Sequence, residues 1–209
     1  DIARQKADLW GYDGEPYDAL LEEYERGSST AEVAALFEGF REAIIDTARE
    51  AVENSKSTPA DLLDGNYPVE DQKVLNREIA ESLGFDFEAG RIDTDTHPFC
   101  THLGPNDTRL TTRYDERDFL SSLFGVMHEA GHGLYDQGLT KDQHGLPSGQ
   151  AVSLGIHESQ SRLWENHVGR AHAFWEKWLP RAAEIFPGLR RLSLDEFLRG
   201  VNRAKYSCI

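Results

Sequence analysis

Val126-Met127-His128-Glu129-Ala130-Gly131-His132-Gly133 is the stretch from which the rest of the chain is read. In a helix four residues advance about 400°, so His128 and His132 lie within roughly 40° of each other, one turn apart. Two imidazoles placed that way can share one metal ion. Glu129 falls about 100° round from His128, beside such an ion and not on it, where it can take the proton of a water held there. Apolar Leu123, Phe124, Val126 and Met127 run straight into the motif. That context calls for a half-buried helix, and half-buried imidazoles and carboxylates need partners. A solvated helix with two ordinary histidines would explain Glu129 but not its neighbours.

His-Glu-x-x-His is the pattern of zinc peptidases. Zinc held by two histidines needs a third protein ligand and one open position. A following helix offers His157-Glu158-Ser159-Gln160-Ser161-Arg162, with Glu158 thirty residues after His128. Glu158 would complete a His2Glu site, and His157, about 100° away on the same helix, is the rival ligand. Asp136, one turn after His132, and Ser159 are candidates to orient the ligands. Zinc suits these donors best, though Co2+ or another divalent ion fits the same set.

The chain around the motif reads as mainly α. A short amphipathic segment ends at Trp10, Gly11 and Gly14 break it, and Pro16 opens a second helix that stops at Gly27. Ser29-x-x-Glu32 is a capping box, followed by Val33, Leu36, Phe37, Phe40, Ile44, Ile45, Ala48 and Val52 at helical spacing, a scaffold helix. Another helix is expected from about Pro68 to Leu83, capped by Gly84. Between Phe85 and Asp118 the 3.6-residue period disappears. Thr108 to Tyr114 alternates as a strand, His97 to His102 can pair with it, and Gly104-Pro105-Asn106 makes the turn, so a small β-sheet is expected just before the metal-binding helix. Helices follow from about Glu116 to Gln137 and from Gln150 to His167, then a segment with Phe174, Trp175 and Trp178, and a last helix capped by Ser193-x-x-Glu196. Trp164, Trp175 and Trp178 read as core.

Composition narrows the partners. The chain holds 37 acidic and 22 basic residues, a net charge of −15. That balance argues against nucleic acid and against anionic membranes, both of which require clustered Lys and Arg. No apolar run reaches the roughly 18 residues of a membrane span, and no basic-then-apolar signal segment is visible. The two cysteines, Cys100 and Cys208, are far apart and read as free thiols of a reducing cytoplasm. The chain opens at Asp1 in mid-helix and closes on Ser207-Cys208-Ile209, so a piece of a longer protein is expected.

Four motifs stand in order: His97-Pro98-Phe99, Asp107-Thr108-Arg109-Leu110-Thr111, His128-Glu129-Ala130-Gly131-His132 and His157-Glu158-Ser159-Gln160-Ser161. Through them the chain resembles, over essentially its whole length, the carboxypeptidase Taq family of thermostable zinc metallocarboxypeptidases. The resemblance implies a mainly α, zincin-like helical metallopeptidase core. It implies zinc on His128, His132 and Glu158, with Glu129 as the catalytic glutamate. It also implies broad removal of C-terminal amino acids from peptides with a free C-terminus, a cytoplasmic location and often a homodimer. Residues 1–209 would then be one partial catalytic domain without the family's N- and C-terminal parts, and a downstream Ile-Arg-x-x-Ala-Asp motif, suited to gripping the substrate carboxylate, would lie past Ile209. The Asp-x-Arg-x-Thr motif places Arg109 on a strand whose edge can pair with an extended peptide; Arg109 either meets the substrate carboxylate or pairs with an aspartate such as Asp107. His97, His102 and Tyr114 are candidate donors to the oxyanion. Two other functions compete: a zinc endo- or oligopeptidase, which shares the metal motif, and a catalytically incomplete zinc-binding fragment.

Overall fold

The structure, a computed structural model, describes residues 1–206. It divides into two compact units: Asp1–Lys56 with Val152–Ile156 and the residues from Ala204, and Ser57–Ala151 with His157–Arg203.

The first unit contains α1 (Ile2–Trp10), α2 (Pro16–Leu21) and α3 (Thr30–Ser55). The expected capping box forms: the Ser29 hydroxyl accepts from the Glu32 N–H, and the Glu32 carboxylate accepts from the Ser29 N–H at 3.0 Å. Asp18 ties α2 to the start of α3, accepting from the Thr30 N–H at 2.7 Å. The apolar stripe of α3 is not covered: no residue of this helix is buried, and Leu36, Phe37, Phe40, Ile44 and Ile45 are all exposed. Its period promised a buried face, but only Ala7 and Ala19 are buried apolar residues among the described residues of this unit. An uncovered apolar stripe on a helix is the pattern of a face that meets a partner.

The second unit is built round the motif helix, α5 (Phe119–Gln137), and holds α4 (Val69–Leu83), α7 (His172–Ile185) and α8 (Leu194–Val201). Asp118 starts α5, its carboxylate accepting from the Ser121 N–H at 3.2 Å. On one flank Phe119, Leu123, Phe124 and Met127 join Leu75 and Ile79 of α4, Trp175 and Leu179 of α7, and Phe197 and Val201 of α8. On another, Val126 and Ala130 meet Ala80, Phe85 and Leu110 in a smaller cluster against the sheet. Each large side chain buried this way contributes roughly 1.5–3 kcal/mol. Trp175 is a core residue, as expected, with its indole N–H donating to the Gly169 carbonyl at 2.8 Å. Buried polar groups also join α4 to α5. Gln72 donates to the Tyr67 and Asp115 carbonyls, the Ser122 hydroxyl donates to Gln72 at 2.7 Å, and Asn76 donates to Ser122 at 3.1 Å.

The sheet lies just before α5 in sequence, as the alternation predicts. β2 (Phe99–Gly104) and β3 (Asp107–Thr112) form an antiparallel hairpin, and β1 (Gly90–Thr94) adds to the other side of β3 in parallel, giving the order β1-β3-β2. β1 was not legible, because Gly90-Arg91-Ile92-Asp93-Thr94 has one apolar residue and hence no alternation. The sheet packs on α5 at Gly133, where a Cβ would stand 3.1 Å from Leu110 of β3 and 2.7 Å from Phe85, which precedes β1.

The next helix, α6 (Leu154–Arg162), begins later than its sequence pattern suggests and passes into six π-helical residues, Leu163–Val168. It approaches α5 at Gly131: a Cβ there would stand 2.6 Å from both the Gln160 carbonyl oxygen and Ser161 Cα. Those are backbone atoms and cannot swing aside. Cys100 is a free thiol, and Cys208 lies outside the described residues. Among the described residues no helix is long and apolar enough to cross a membrane.

Gly131→Ala is expected to cost about 1–3 kcal/mol in chemical denaturation, because the α6 backbone must move away. Gly39→Ala is the contrasting case. Gly39 lies in α3 with nothing within 4 Å of an added Cβ, so that change is expected to stabilise by roughly 0.5–1 kcal/mol. Equal effects at both positions would mean that the α5–α6 approach is not constrained at Gly131.

Candidate metal centre

His128 and His132 lie on one face of α5, and α6, brought close at Gly131, places Glu158 opposite them. Glu158 Oε2 is 3.7 Å from His128 Nε2 and 3.4 Å from His132 Nε2. One ligand atom from each of the three residues lies within 4.8 Å of the others. A tetrahedral ion with bonds of 2.0–2.1 Å has ligands roughly 3.3–3.5 Å apart along each edge, so the donor set fits a divalent metal in both chemistry and spacing. Glu158 is partly exposed, so the group is open to solvent on its own side.

Each donor is held from behind. The Nδ1 of His128 is 2.9 Å from Glu165 Oε2. The Nδ1 of His132 is 2.6 Å from Nδ1 of His157, whose Nε2 is 3.0 Å from Asp136 Oδ1. The second carboxylate oxygen of Glu158 accepts from Arg162 Nε at 2.9 Å, and the same guanidinium donates through Nη1 to Glu165 at 3.2 Å. Arg162 thereby bridges Glu158 and the carboxylate that contacts His128.

Electrostatics follow from these partners. The Glu165 hydrogen bond raises the His128 pKa above its ordinary value, against burial. Burial, with His157 and His128 nearby, lowers that of His132. For Glu158 burial acts upward, but the Arg162 hydrogen bond and the His128, Arg162 and His132 charges outweigh it and hold the carboxyl below its usual range. Burial likewise opposes the shift at Glu165, where His128 and Arg162 prevail and lower it. Glu129 behaves differently. It is buried on α5, and desolvation pushes it up to about 7, with Glu158 and Glu165 adding to the rise and His128 and His97 opposing it.

The remaining sequence candidates divide. His97 is close enough for its charge to act on Glu129; its Nδ1 is 2.6 Å from the Pro98 carbonyl. His102 contacts Thr108 at 3.1 Å and the His144 ring. Tyr114 contacts Lys73 and Asn76 of α4. The Arg109 guanidinium is bidentate to Asp107, with both bonds at 2.8 Å. His157, the rival ligand, stands behind His132 and outside the group of three. The motif reading passes over Glu165 and Arg162. Their signal was present: Glu158, Arg162 and Glu165 recur at i, i+4 and i+7, one stripe of a helix facing the histidines. Asp136, one turn after His132, is the orienting candidate of the sequence, and its carboxylate contacts His157, 3.0 Å away.

A sequence model of the family described as carboxypeptidase Taq (M32) metallopeptidase matches residues 1–209. The chain is 46% identical over 196 residues to thermostable carboxypeptidase 1 of Thermus thermophilus, covering 94% of this chain and 38% of that protein. It is 39% identical over 201 residues to carboxypeptidase 1 of Bacillus subtilis, covering 96% and 40%. The crystal structure of an M32 carboxypeptidase from Deinococcus radiodurans R1 superposes with a TM-score of 0.90 at 37% identity, covering 96% of this chain and 40% of that one. The chain thus spans about 40% of the length of the relatives it matches, and the mainly helical fold with its small sheet is shared with a solved member.

Dialysis of the metal-free chain against Co2+ or Zn2+ is expected to load one ion. His132→Ala and Glu158→Ala should each weaken binding by more than the ~10–100-fold typical of losing an outer partner. Unchanged affinity in Glu158→Ala, measured by chelator competition, would remove Glu158 from the donor set.

Proposed function

Because the chain belongs to the carboxypeptidase Taq (M32) metallopeptidase family, we propose that it carries the zinc centre of a metallocarboxypeptidase that releases C-terminal amino acids from peptides with broad specificity. The observation that carries this reading is the convergence of His128, His132 and Glu158 beside a buried Glu129. In it, those three residues bind zinc, with Co2+ or another divalent ion as a substitute, and Glu129 is the catalytic base. A bound divalent ion supplies Lewis-acid polarisation of the scissile carbonyl and activates water.

The protein's own groups divide the remaining work. Glu129 takes a proton from the attacking water as the new C–O bond forms, and passes it to the amine as the C–N bond breaks. Its buried setting raises its pKa in the metal-free chain, which makes the carboxylate a stronger proton acceptor than a solvated one. Glu165 and Arg162 hold His128 and Glu158 in place throughout. Of the candidate oxyanion donors, His97 is the best supported, since its charge reaches Glu129 while His102 and Tyr114 make their contacts with other partners. A cytoplasmic location, consistent with the free Cys100 thiol, and a homodimer, as the family resemblance implies, belong to the same reading.

One observation favours a second reading. Arg109, the candidate to grip a substrate's terminal carboxylate, is committed to Asp107. If no other cation takes that carboxylate, the same centre would serve an endopeptidase.

The test uses a peptide with a free C-terminus and its C-terminally amidated twin. A carboxypeptidase is expected to release amino acids from the first only; equal cleavage of both would replace it with the endopeptidase reading. Glu129→Gln is expected to keep the metal and lose about 10²–10⁴-fold in turnover. Near-normal activity in that variant would remove Glu129 as the base. Metal binding with no hydrolysis of either peptide by the chain would leave it as a metal-binding portion of the family fold.

A further inference from the structure

The two histidine donors are supported in different ways. His128 meets a carboxylate directly, through its 2.9 Å contact with Glu165. His132 has no carboxylate at its Nδ1; the imidazole of His157 occupies that place, 2.6 Å away, with the two ring planes within 19° of each other. His157 comes from α6 and sits between two residues of α5, His132 and Asp136. The Tyr135 ring packs edge-on against it, with centroids 5.2 Å apart. Asp136 is nearly buried, and its other oxygen accepts from the Cys100 thiol at 3.7 Å.

One assignment of protons satisfies every contact in this row. For His132 to offer the Nε2 lone pair toward Glu158 and an ion, its proton must sit on Nδ1. That N–H donates to Nδ1 of His157, which must therefore be the unprotonated nitrogen. His157 then carries its proton on Nε2 and donates it to Asp136 Oδ1. The opposite assignment, with His157 Nδ1–H donating to His132 Nδ1, puts a proton on His132 Nε2, facing the donor group, and sets the His157 Nε2 lone pair against the Asp136 carboxylate across 3.0 Å. The Asp136 carboxylate, as acceptor at the end of the row, selects the productive arrangement.

We propose that His157 is a positioning residue of the metal centre: it relays the Asp136 carboxylate to His132 and fixes that ring with Nε2 toward the ion. The inference rests on the reading of His128, His132 and Glu158 as the metal set. It gives His157 a role distinct from that of ligand, and it makes α6 the source of both a donor, Glu158, and the support of another donor on α5. A displacement of α6 would disturb two of the three donors at once.

The experiment measures Zn2+ and Co2+ affinity of the full chain by chelator competition, with thermal melting of the metal-free forms alongside. His157→Phe keeps a planar ring but no hydrogen bonds, and is expected to weaken binding of either ion by ~10–100-fold. His157→Gln offers an amide oxygen to His132 and an amide N–H to Asp136, and is expected to recover most of that loss. Asp136→Asn is expected to weaken binding in the presence of His157 and to add nothing in the His157→Phe background, since the relay is then already cut. The visible spectrum of the Co2+ form should shift in His157→Phe and return toward that of the unsubstituted chain in His157→Gln. Wild-type affinity in His157→Phe, or an Asp136→Asn effect of full size in its absence, would overturn the relay. So would a loss in His157→Phe that follows a drop in the metal-free melting temperature and is not restored by glutamine. If the unsubstituted chain takes up neither ion, the metal reading itself fails and the relay falls with it, an outcome distinct from the others.

Discussion

The close approach of two backbones at Gly131 is the constraint on which the centre depends. Two histidines on one helix can supply two donors, but a third must come from elsewhere and meet them to within a few tenths of an ångström. Here α6 comes so near α5 that a Cβ at Gly131 would collide with the Gln160 carbonyl oxygen and Ser161 Cα. Glu158 stands two residues before that contact and is carried by it. The sheet and the segment before it set the other side of α5, with Leu110 of β3 and Phe85 packed where a Cβ at Gly133 would be. The helix is thus held between a core that fixes its depth and a neighbour that fixes the reach of the third donor.

A second constraint is polar. Taking imidazoles and carboxylates out of water costs several kcal/mol per unpaired charge, so a half-buried set persists only if its members satisfy one another. Glu165 answers His128, Arg162 answers Glu158 and Glu165, and Asp136 answers His157. Glu129 is the exception: it is buried, and among the described residues no Lys or Arg forms an ion pair with it, so desolvation dominates its behaviour. The contrast between partnered donors and one poorly solvated acid follows from the same low-dielectric setting, and such contrasts concentrate where chemistry is done.

How much of this was legible depended on whether the signal was periodic. His128, Glu129 and His132 were readable because a helix turns His-x-x-x-His into a geometry, and Glu158 because a donor on a second helix was required and the interval allowed it. The hairpin of β2 and β3 showed in its alternation; β1 did not, having only Ile92 to show. Arg162 and Glu165 looked like an ordinary charged helix face, since nothing in one sequence says which face meets His128. His157 was read as a rival to Glu158 because spacing gives direction about an axis but not the distance between helices. That distance, set by Gly131, decides that the imidazole reaches His132 from behind. The apolar period of α3 forecast a buried face, and periodicity of that kind reports a need for a partner without saying where the partner is.

Arg162 carries a consequence for how this site can change over evolutionary time. One guanidinium serves both Glu158 and Glu165, so neither acid is an independent variable. A lineage that loses Arg162 loosens a donor and the support of another donor in a single step, and a substitution at either acid leaves a cation with half its neutralisation. Changes at these three positions are therefore expected to be coupled rather than independent. Close relatives that differ in one of them should carry a compensating change in the same helical stripe.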